Sequence, residues 1–437
     1  MTLDHTEGLG LLGGQVPAWS ARRIAALRAQ RGWTQEELAE HSGLSVRTIR
    51  NLELGHVQNP RRSSLDLLVS ALGGAGGRPP DAERAALGHL PDLREPHTAP
   101  VGSPSVVEHL AHTVRANRLT TFLGPGGVGK TRMALDVAAH LGPGFRDGVH
   151  AVELGDLPPG GGPEQQTAAV LDRVRRRLTR GRSAAQGAGA EIDTGTQALL
   201  VLDNAEHVPD GVMGATRELQ AALPGVHILV TARRRLTERL GANREIRPLP
   251  LEQAPGEPLS AAPAVALFLR HLGAGSPAAA ELDKDLPLVA ELCRRLGGLP
   301  RYIEFAAECL RAIPIRLMLS YGPTPEMLWS NDHALLRHQR SVTDSILWSI
   351  DLLGADHRLL LEAVAELPAR SFVLEEATAG YGRRGPNPLT LVSDLLDTSL
   401  LLPDEAHPYH YRAAPFVAEV VRRSGRTTPE PGGPACD

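Results

Sequence analysis

The chain has 437 residues, of which 22% are charged and 3% aromatic, and its formal net charge is −4. That length allows two to four domains, and the near balance of charge excludes a polybasic nucleic-acid coat or an acidic disordered tail, so any DNA contact must be local. The N-terminus "MTLDHTEGLGLLGG" has no basic region followed by an apolar core, and no apolar run approaches the roughly 20 residues that span a bilayer, so the expectation is a cytoplasmic protein without a membrane segment.

The first predicted unit covers residues 18–73 and is all helical. A helix over 20–31 has a partly apolar face made by Ile24, Ala25, Leu27 and Ala29. Thr34 caps a second helix with Glu37 at the capping-box position, and Leu38 and Ala39 point inward. Gly43 supplies a tight turn and Ser45 caps a third helix. At 100° per residue Ile49 and Leu52 share one face of it, which leaves Arg47, Arg50 and Asn51 on the other. Arginine can pair bidentately with guanine and asparagine with adenine, while Gln35 at the head of the second helix is placed to touch phosphate.

The stretch "TQEELAEHSGLSVRTIRNLELG", followed by "PRRSSLDLLVSALG", closely resembles the helix-turn-helix of the Xre/Cro phage-repressor family over residues 20–73. The resemblance implies a double-stranded DNA operator as partner. It puts Val46, Arg47 and Asn51 at base-reading positions and Gln35 at a backbone-contacting one, with Ser45, Thr48 and Arg50 on the same element completing the candidate interface.

A Gly/Pro/Ala-rich linker over 74–105 leads to a larger block over 106–254, expected to be α/β. Its apolar runs "LTTFL", "VHAVEL", "ALLVL" and "VHILV" alternate with helical patterns, as strands buried on both faces of a parallel sheet do. After the first run comes "GPGGVGKT", where Gly124, Gly129, Lys130 and Thr131 fit the phosphate-loop pattern between strand and helix, and Gly126 and Gly127 let the backbone approach an anion. Only Lys130 and Lys284 are lysines in an arginine-rich chain, and a compact ammonium suits a tight phosphate nest better than a guanidinium does. Lys130 is expected to reach the β- and γ-oxygens and the Thr131 hydroxyl to ligate Mg2+, with Arg132 beside them in the site. Asp203, ending "ALLVLDNAEH", can hold the metal through water; Asn204 or Glu206 can orient an attacking water, although either is equally readable as a loop residue. Arg233, after "VHILVTA", is placed as a γ-phosphate sensor.

From residue 263 onward the pattern turns helical. The order "GPGGVGKT", "LLVLDNAEH", "ILVTARRRL", "PLPL", "GGLPRYIEFAA" and "SILWSIDLL" resembles the NB-ARC class of STAND ATPases, in particular regulators of the AfsR type, over roughly residues 100–423. The resemblance implies bound ADP or ATP with Mg2+, a helical ARC domain over 255–325 in which Pro300 touches the nucleotide, and a winged-helix domain over 340–423. It also implies a switch in which ADP locks a closed monomer and ATP releases an oligomerising form, so a homo-oligomer is expected. The chain departs from the pattern in three places: "VGSP" at 101–104 replaces the residues that help hold adenine, Arg301 replaces an apolar residue after Pro300, and Ala414 and Pro415 align where relatives carry a phosphate-contacting pair. Regulators of this type commonly continue into a long helical-repeat sensor; with residues 424–437 rich in Pro and Gly, the expectation here is a relative without one. Cys293, Cys309 and Cys436 have neither metal-ligand spacing nor an even disulfide count, which suggests two packed thiols and one in the tail.

The function expected is a nucleotide-controlled DNA-binding transcriptional regulator acting at the nucleoid, with slow ATP hydrolysis as its most demanding chemistry. The alternatives are a DNA-binding repressor whose nucleotide domain is a scaffold, and a STAND-type signalling or defence ATPase.

Overall fold

The computed structural model describes residues 28, 33–42, 46–53, 104–179, 193–236, 241–272, 282, 285–310, 312–332, 335–367, 371–381, 386–404 and 406–425. The chain divides into two compact units, Met1–Asp81 and Ala82–Asp437.

In the first unit, helix α1 spans Gln35–Ser42 and α2 spans Val46–Glu53. The capping box forms in both directions: Glu37 N donates to Thr34 Oγ1 at 3.1 Å, and Thr34 N donates to Glu37 Oε2 at 2.7 Å. Leu38 and Ile49 are fully buried and Ala39 nearly so, while Val46 and Arg50 are exposed. The helix expected over 20–31 lies outside the described residues except for Arg28, as do the Gly43 turn and the Ser45 cap.

The second unit is built on a five-stranded parallel sheet of order β2-β3-β4-β1-β5: β1 Leu119–Leu123, β2 Val149–Glu153, β3 Leu199–Asp203, β4 His227–Ala232 and β5 Ala242–Glu245. The four expected apolar runs are β1 to β4. Successive residues of a strand feed opposite cores, as their near-continuous apolar sequence requires. Leu200, Leu202, Ile228 and Val230 pack toward Val170 and Val174 of α5 (Pro163–Thr179) and Val212 and Leu219 of α6 (Pro209–Ala222). Leu199, Val201 and Leu229 pack toward α3 (Pro104–Ala116) and α4 (Lys130–Leu141).

That second core does not stop at the sheet. It runs on through α7 (Pro263–Leu272), α8 (Leu286–Arg295), α9 (Pro300–Cys309) and α10 (Ile315–Tyr321). It then enters α11 (Val342–Asp351), α12 (Ala355–Ala365), α13 (Leu374–Tyr381), α14 (Pro388–Asp397) and α15 (Val417–Gly425), and takes in Phe372 and Leu401 of a small antiparallel sheet. That sheet has the order β6-β8-β7, with β6 Phe372–Val373, β7 Leu401–Pro403 and β8 His410–Ala413. Among the described residues no helix is long and apolar enough to cross a membrane.

Candidate nucleotide site

The loop between β1 and α4 leaves the sheet at its carboxyl edge, where open parallel sheets bind ligands. Gly127 and Gly129 hold φ values of 81° and 98°, a region L side chains rarely adopt. A side chain at Gly127 would also lie 2.9 Å from Cβ of Arg301. Gly129 is the N-cap of α4 and no side chain caps that end, so the first amides of the helix and their positive dipole face the loop. Lys130 folds back over the loop, its Nζ donating to the carbonyls of Gly124 at 2.9 Å and Pro125 at 3.0 Å. Burial, against the attraction of Glu206, lowers its pKa to about 8.

Beneath the loop lies a buried polar network. Asp203 accepts from Thr131 Oγ1 at 2.9 Å and from Thr231 Oγ1. Burial pushes its carboxyl above the usual range, against the pull of the two threonine hydroxyls. Asn204, in the left-handed region at φ 58°, donates its N–H to Thr231 Oγ1 at 3.0 Å. Its side-chain amide donates to Glu153 Oε1 at 2.9 Å and Asp203 Oδ2 at 3.2 Å. Glu153 ends β2 opposite Asp203 in the sheet register, and burial together with the Asp203 charge raises it to about 7. The sequence reading passed over Glu153, although "VHAVE" ends on a carboxylate as "LLVLD" does.

Glu206 and Arg233 form a buried ion pair, Nε to Oε1 at 3.1 Å. Burial by itself would raise Glu206; Arg233, and then Lys130, outweigh it and hold the carboxyl below its usual range. Glu206 therefore serves Arg233 here; it and Asp203 are both absent from the cavity wall, Asp203 lying behind Thr131, whereas Asn204 is part of that wall.

The cavity has a volume of about 230 Å³, smaller than the roughly 300–1,000 Å³ usual for small-molecule sites. Gly126, Gly127, Gly129, Lys130, Thr131 and Arg132 form its floor, Arg233 one side, and Pro300 and Arg301 part of its roof. The N-terminus of α9 is tied to the loop directly, because Arg301 N donates to Gly127 O at 3.1 Å. The Arg301 side chain pairs with Glu304 at 3.2 Å and lies over the Phe305 ring. The end away from Lys130 is apolar, lined by Val107, Met133, Leu249, Leu267 and Phe305, with the Arg132–Asp136 pair at 3.1 Å beside it. Pro104 begins α3, while residues 101–103 lie outside the described residues.

The remaining roof comes from His338, Gln339, Ser341 and Ser345, none of them an expected site residue; the last two open the stretch expected as the winged-helix domain. Ser341 caps α11, accepting from Asp344 N at 2.9 Å and donating to Asp344 Oδ2 at 2.8 Å. His338 is stacked on Trp348 with ring centroids 4.7 Å apart; burial, and then the Arg233 charge, lower its pKa to about 4. The signal available beforehand was "SVTDSILWS", a capping pattern with Ser345 and Ser349 one helical turn apart. Ala414 and Pro415, aligned to a phosphate-contacting pair, are not in the cavity wall. Pro415 Cγ instead lies 2.7 Å from where a Gly297 Cβ would be, and Phe416 packs on Tyr302 with ring centroids 5.8 Å apart.

The residues present fit a nucleotide with its metal. The helix end is uncapped, a desolvated ammonium lies on two loop carbonyls, and a hydroxyl and a carboxylate meet at 2.9 Å. Among the described residues no group of three or more His, Cys, Asp or Glu could hold a metal by itself, so Mg2+ here would need phosphate oxygens and water besides Thr131 and Asp203.

In the first unit, Gln35 is half-buried at the head of α1; on α2, Val46 and Arg50 are exposed and Thr48 is half-buried. Ser45 and the side chains of Arg47 and Asn51 lie outside what is described.

Comparison with known proteins bears on both units. Residues 24–75 match the helix-turn-helix family. A putative HTH-type transcriptional regulator of Mycobacterium tuberculosis is 28% identical over 323 residues, covering 70% of this chain and 33% of the relative. An uncharacterized protein of the same species is 27% identical over 288 residues, covering 64% of this chain and 68% of its own length. The chain thus spans about a third of the first of these relatives. Among solved structures, a Walker-type ATPase of Pyrococcus abyssi aligns with 76% of this chain and 99% of its own at TM-score 0.49 and 16% identity. The molecule joins an N-terminal helix-turn-helix domain to a parallel α/β fold of the P-loop type.

Proposed function

We propose that this chain is a DNA-binding transcriptional regulator whose conformation or oligomeric state is set by ADP or ATP, bound with Mg2+ at the phosphate loop of an NB-ARC-type module. The observation that carries the reading is the pairing of Thr131 with Asp203 under an uncapped helix end that also holds Lys130. In this reading Lys130 and the loop amides bind the phosphates, Thr131 and Asp203 hold the metal, and the apolar end around Val107, Leu249 and Phe305 receives the base. Arg132 and Pro300 flank the ligand, and Asn204, held by two carboxylates, fixes the geometry beside the metal. Roof and floor are joined at Gly127 and Arg233, so a ligand that fits one arrangement of them better shifts the equilibrium by that difference in affinity.

The helix-turn-helix match and the regulator name carried by the mycobacterial relative support double-stranded DNA as the partner. One such unit reads one half-site, and pairing two chains raises affinity through effective concentration. A second reading, a nucleotide-free scaffold, draws on the small cavity. Denaturing the purified protein and measuring the nucleotide released separates them: near-stoichiometric ADP is expected, and a protein that is empty and takes up neither ADP nor ATP would sink the nucleotide reading. DNA recognition is tested separately by selecting duplexes on the full chain, with enrichment of one sequence expected.

A further inference from the structure

Between α5 and α6 lies a groove of about 730 Å³ that shares no residue with the nucleotide cavity. The two helices follow β2 and β3 of one parallel sheet and pack on the same face of it, so they run in the same direction. They lie close together near their starts: a side chain at Gly211 would lie 2.6 Å from Cβ of Gln166, and one at Gly214 would run into Thr167. Glu164, Ala168, Leu171 and Arg175 line the groove from α5, spaced three or four residues apart and so on one face of the helix. Asp210, Gly214 and Arg217 do the same from α6.

This groove is charged at its ends and apolar between them. Leu171, Met213 and Leu236 give its apolar part, and Ala168 and Gly214 add no bulk there. At the helix starts it carries Glu164 and Asp210; further along it carries Arg175 and Arg217, with Glu218 the one charge of opposite sign at that end. All these charged residues are exposed. Among the described residues no hydrogen bond or ion pair holds the side chains of Glu164, Asp210, Arg175 or Arg217. The arginines of α5 that point elsewhere are paired, Arg173 with Asp156 and Arg176 with Asp172 at 2.8 Å.

A groove with one acidic and one basic end is complementary to itself turned end for end. A two-fold axis lying in the contact plane, perpendicular to the helices, sets Glu164 against the Arg175 of a second copy and Asp210 against its Arg217, and repeats both pairs by symmetry. One axis serves both helices, because the midpoints of the two pairs, at Ala169 and Val170 and at Met213 and Gly214, lie within one turn of the level at which Thr167 meets Gly214. The apolar middle then closes on its own copy. We propose that this groove is the interface of a two-fold symmetric dimer of the chain, formed whether or not nucleotide is bound. The proposal goes beyond the nucleotide reading and does not depend on it. Each chain brings one helix-turn-helix, so the dimer holds two whatever the phosphate loop contains.

The test is sedimentation velocity on the full chain without DNA, with and without ADP. Wild type is expected to be dimeric at low ionic strength in both conditions, with the dimer weakened by salt. Arg175→Glu/Arg217→Glu makes both ends acidic, and Glu164→Arg/Asp210→Arg makes both ends basic. In each variant alone the dimer dissociation constant should rise about a hundredfold, since four ion pairs become repulsive contacts. An equimolar mixture of the two variants should restore the dimer, and so should the fourfold variant in which the ends are exchanged. Misfolding cannot be rescued in this way, so the mixture separates loss of complementarity from loss of structure. A monomeric wild type, with the groove left to a different protein or to another part of the chain, overturns the proposal. A dimer that needs nucleotide, a dimer indifferent to the reversals, or variants that stay apart when mixed would do the same.

Discussion

The floor and the roof of the cavity are built in different ways. The floor is local: its residues from Gly126 to Arg132 come from one continuous stretch, and Asp203 and Thr231 lie beneath that stretch, outside the cavity wall, because β3 and β4 lie beside each other in a parallel sheet that ends at the same edge. The roof is remote: Arg301 reaches Gly127, and Ser345 and Ser349 reach Arg233 across more than 100 residues of chain. One short continuous motif can specify the chemistry of a phosphate site, but the cover of that site comes from segments far away along the chain.

The largest effect should come from the floor. Lys130→Ala removes the only ammonium in the cavity wall, and nucleotide affinity should fall about a thousandfold, the scale of two charged hydrogen bonds. DNA binding by the full chain in the absence of nucleotide should be unchanged. Titration calorimetry and a DNA mobility shift read the two, and unaltered nucleotide affinity would remove Lys130 from the site.

At the seam between floor and roof, Glu206→Gln leaves Arg233 buried without its counter-charge. Stability should drop by about 3 kcal/mol or more, measured by chemical denaturation; a drop under about 1 kcal/mol would mean that the serines satisfy the guanidinium without help.

The roof should carry a pH signature. His338 sits near 4 when folded against 6.5 ordinarily, so between those values the unfolded chain holds the extra proton. Stability is therefore full above pH 6.5 and declines as pH falls toward 4, by up to about 3 kcal/mol. His338→Phe, which keeps a ring against Trp348, should flatten that part of the profile; an unchanged slope would assign the loss to other groups. The smallest effect is expected at the cap of α11: Ser341→Ala should lower stability by about 1 kcal/mol, seen as a lower thermal midpoint.

How far each part could be read in advance follows the same division. Strands β1 to β4 were legible because most of their residues are buried on both faces and their sequences are largely apolar. Strand β5, "ANRE", is a half-exposed edge strand and sends no such signal. The capping box of Thr34 and Glu37 was legible because both partners lie within one turn. Glu153 was overlooked because its role depends on the β2–β3 register, which a one-dimensional reading does not supply. Ala414 and Pro415 were aligned to a site that they do not line, because the chain approaches the phosphate loop from α11 instead.

The apolar core that passes unbroken from the inner face of the sheet to α15 constrains how this molecule can move. Separating its layers would wet about 2.5 kcal/mol of apolar contact for every 100 Å² exposed, so a wide parting of the layers is expensive throughout. The polar junction of Arg233, Glu206, Ser345 and Ser349 has a different character, since Arg233 and the two serine hydroxyls are donors that an incoming anion can accept from in place of their present partners. Motion is then expected as a slide along that seam with the greasy interior kept dry, more a gearshift than a hinge.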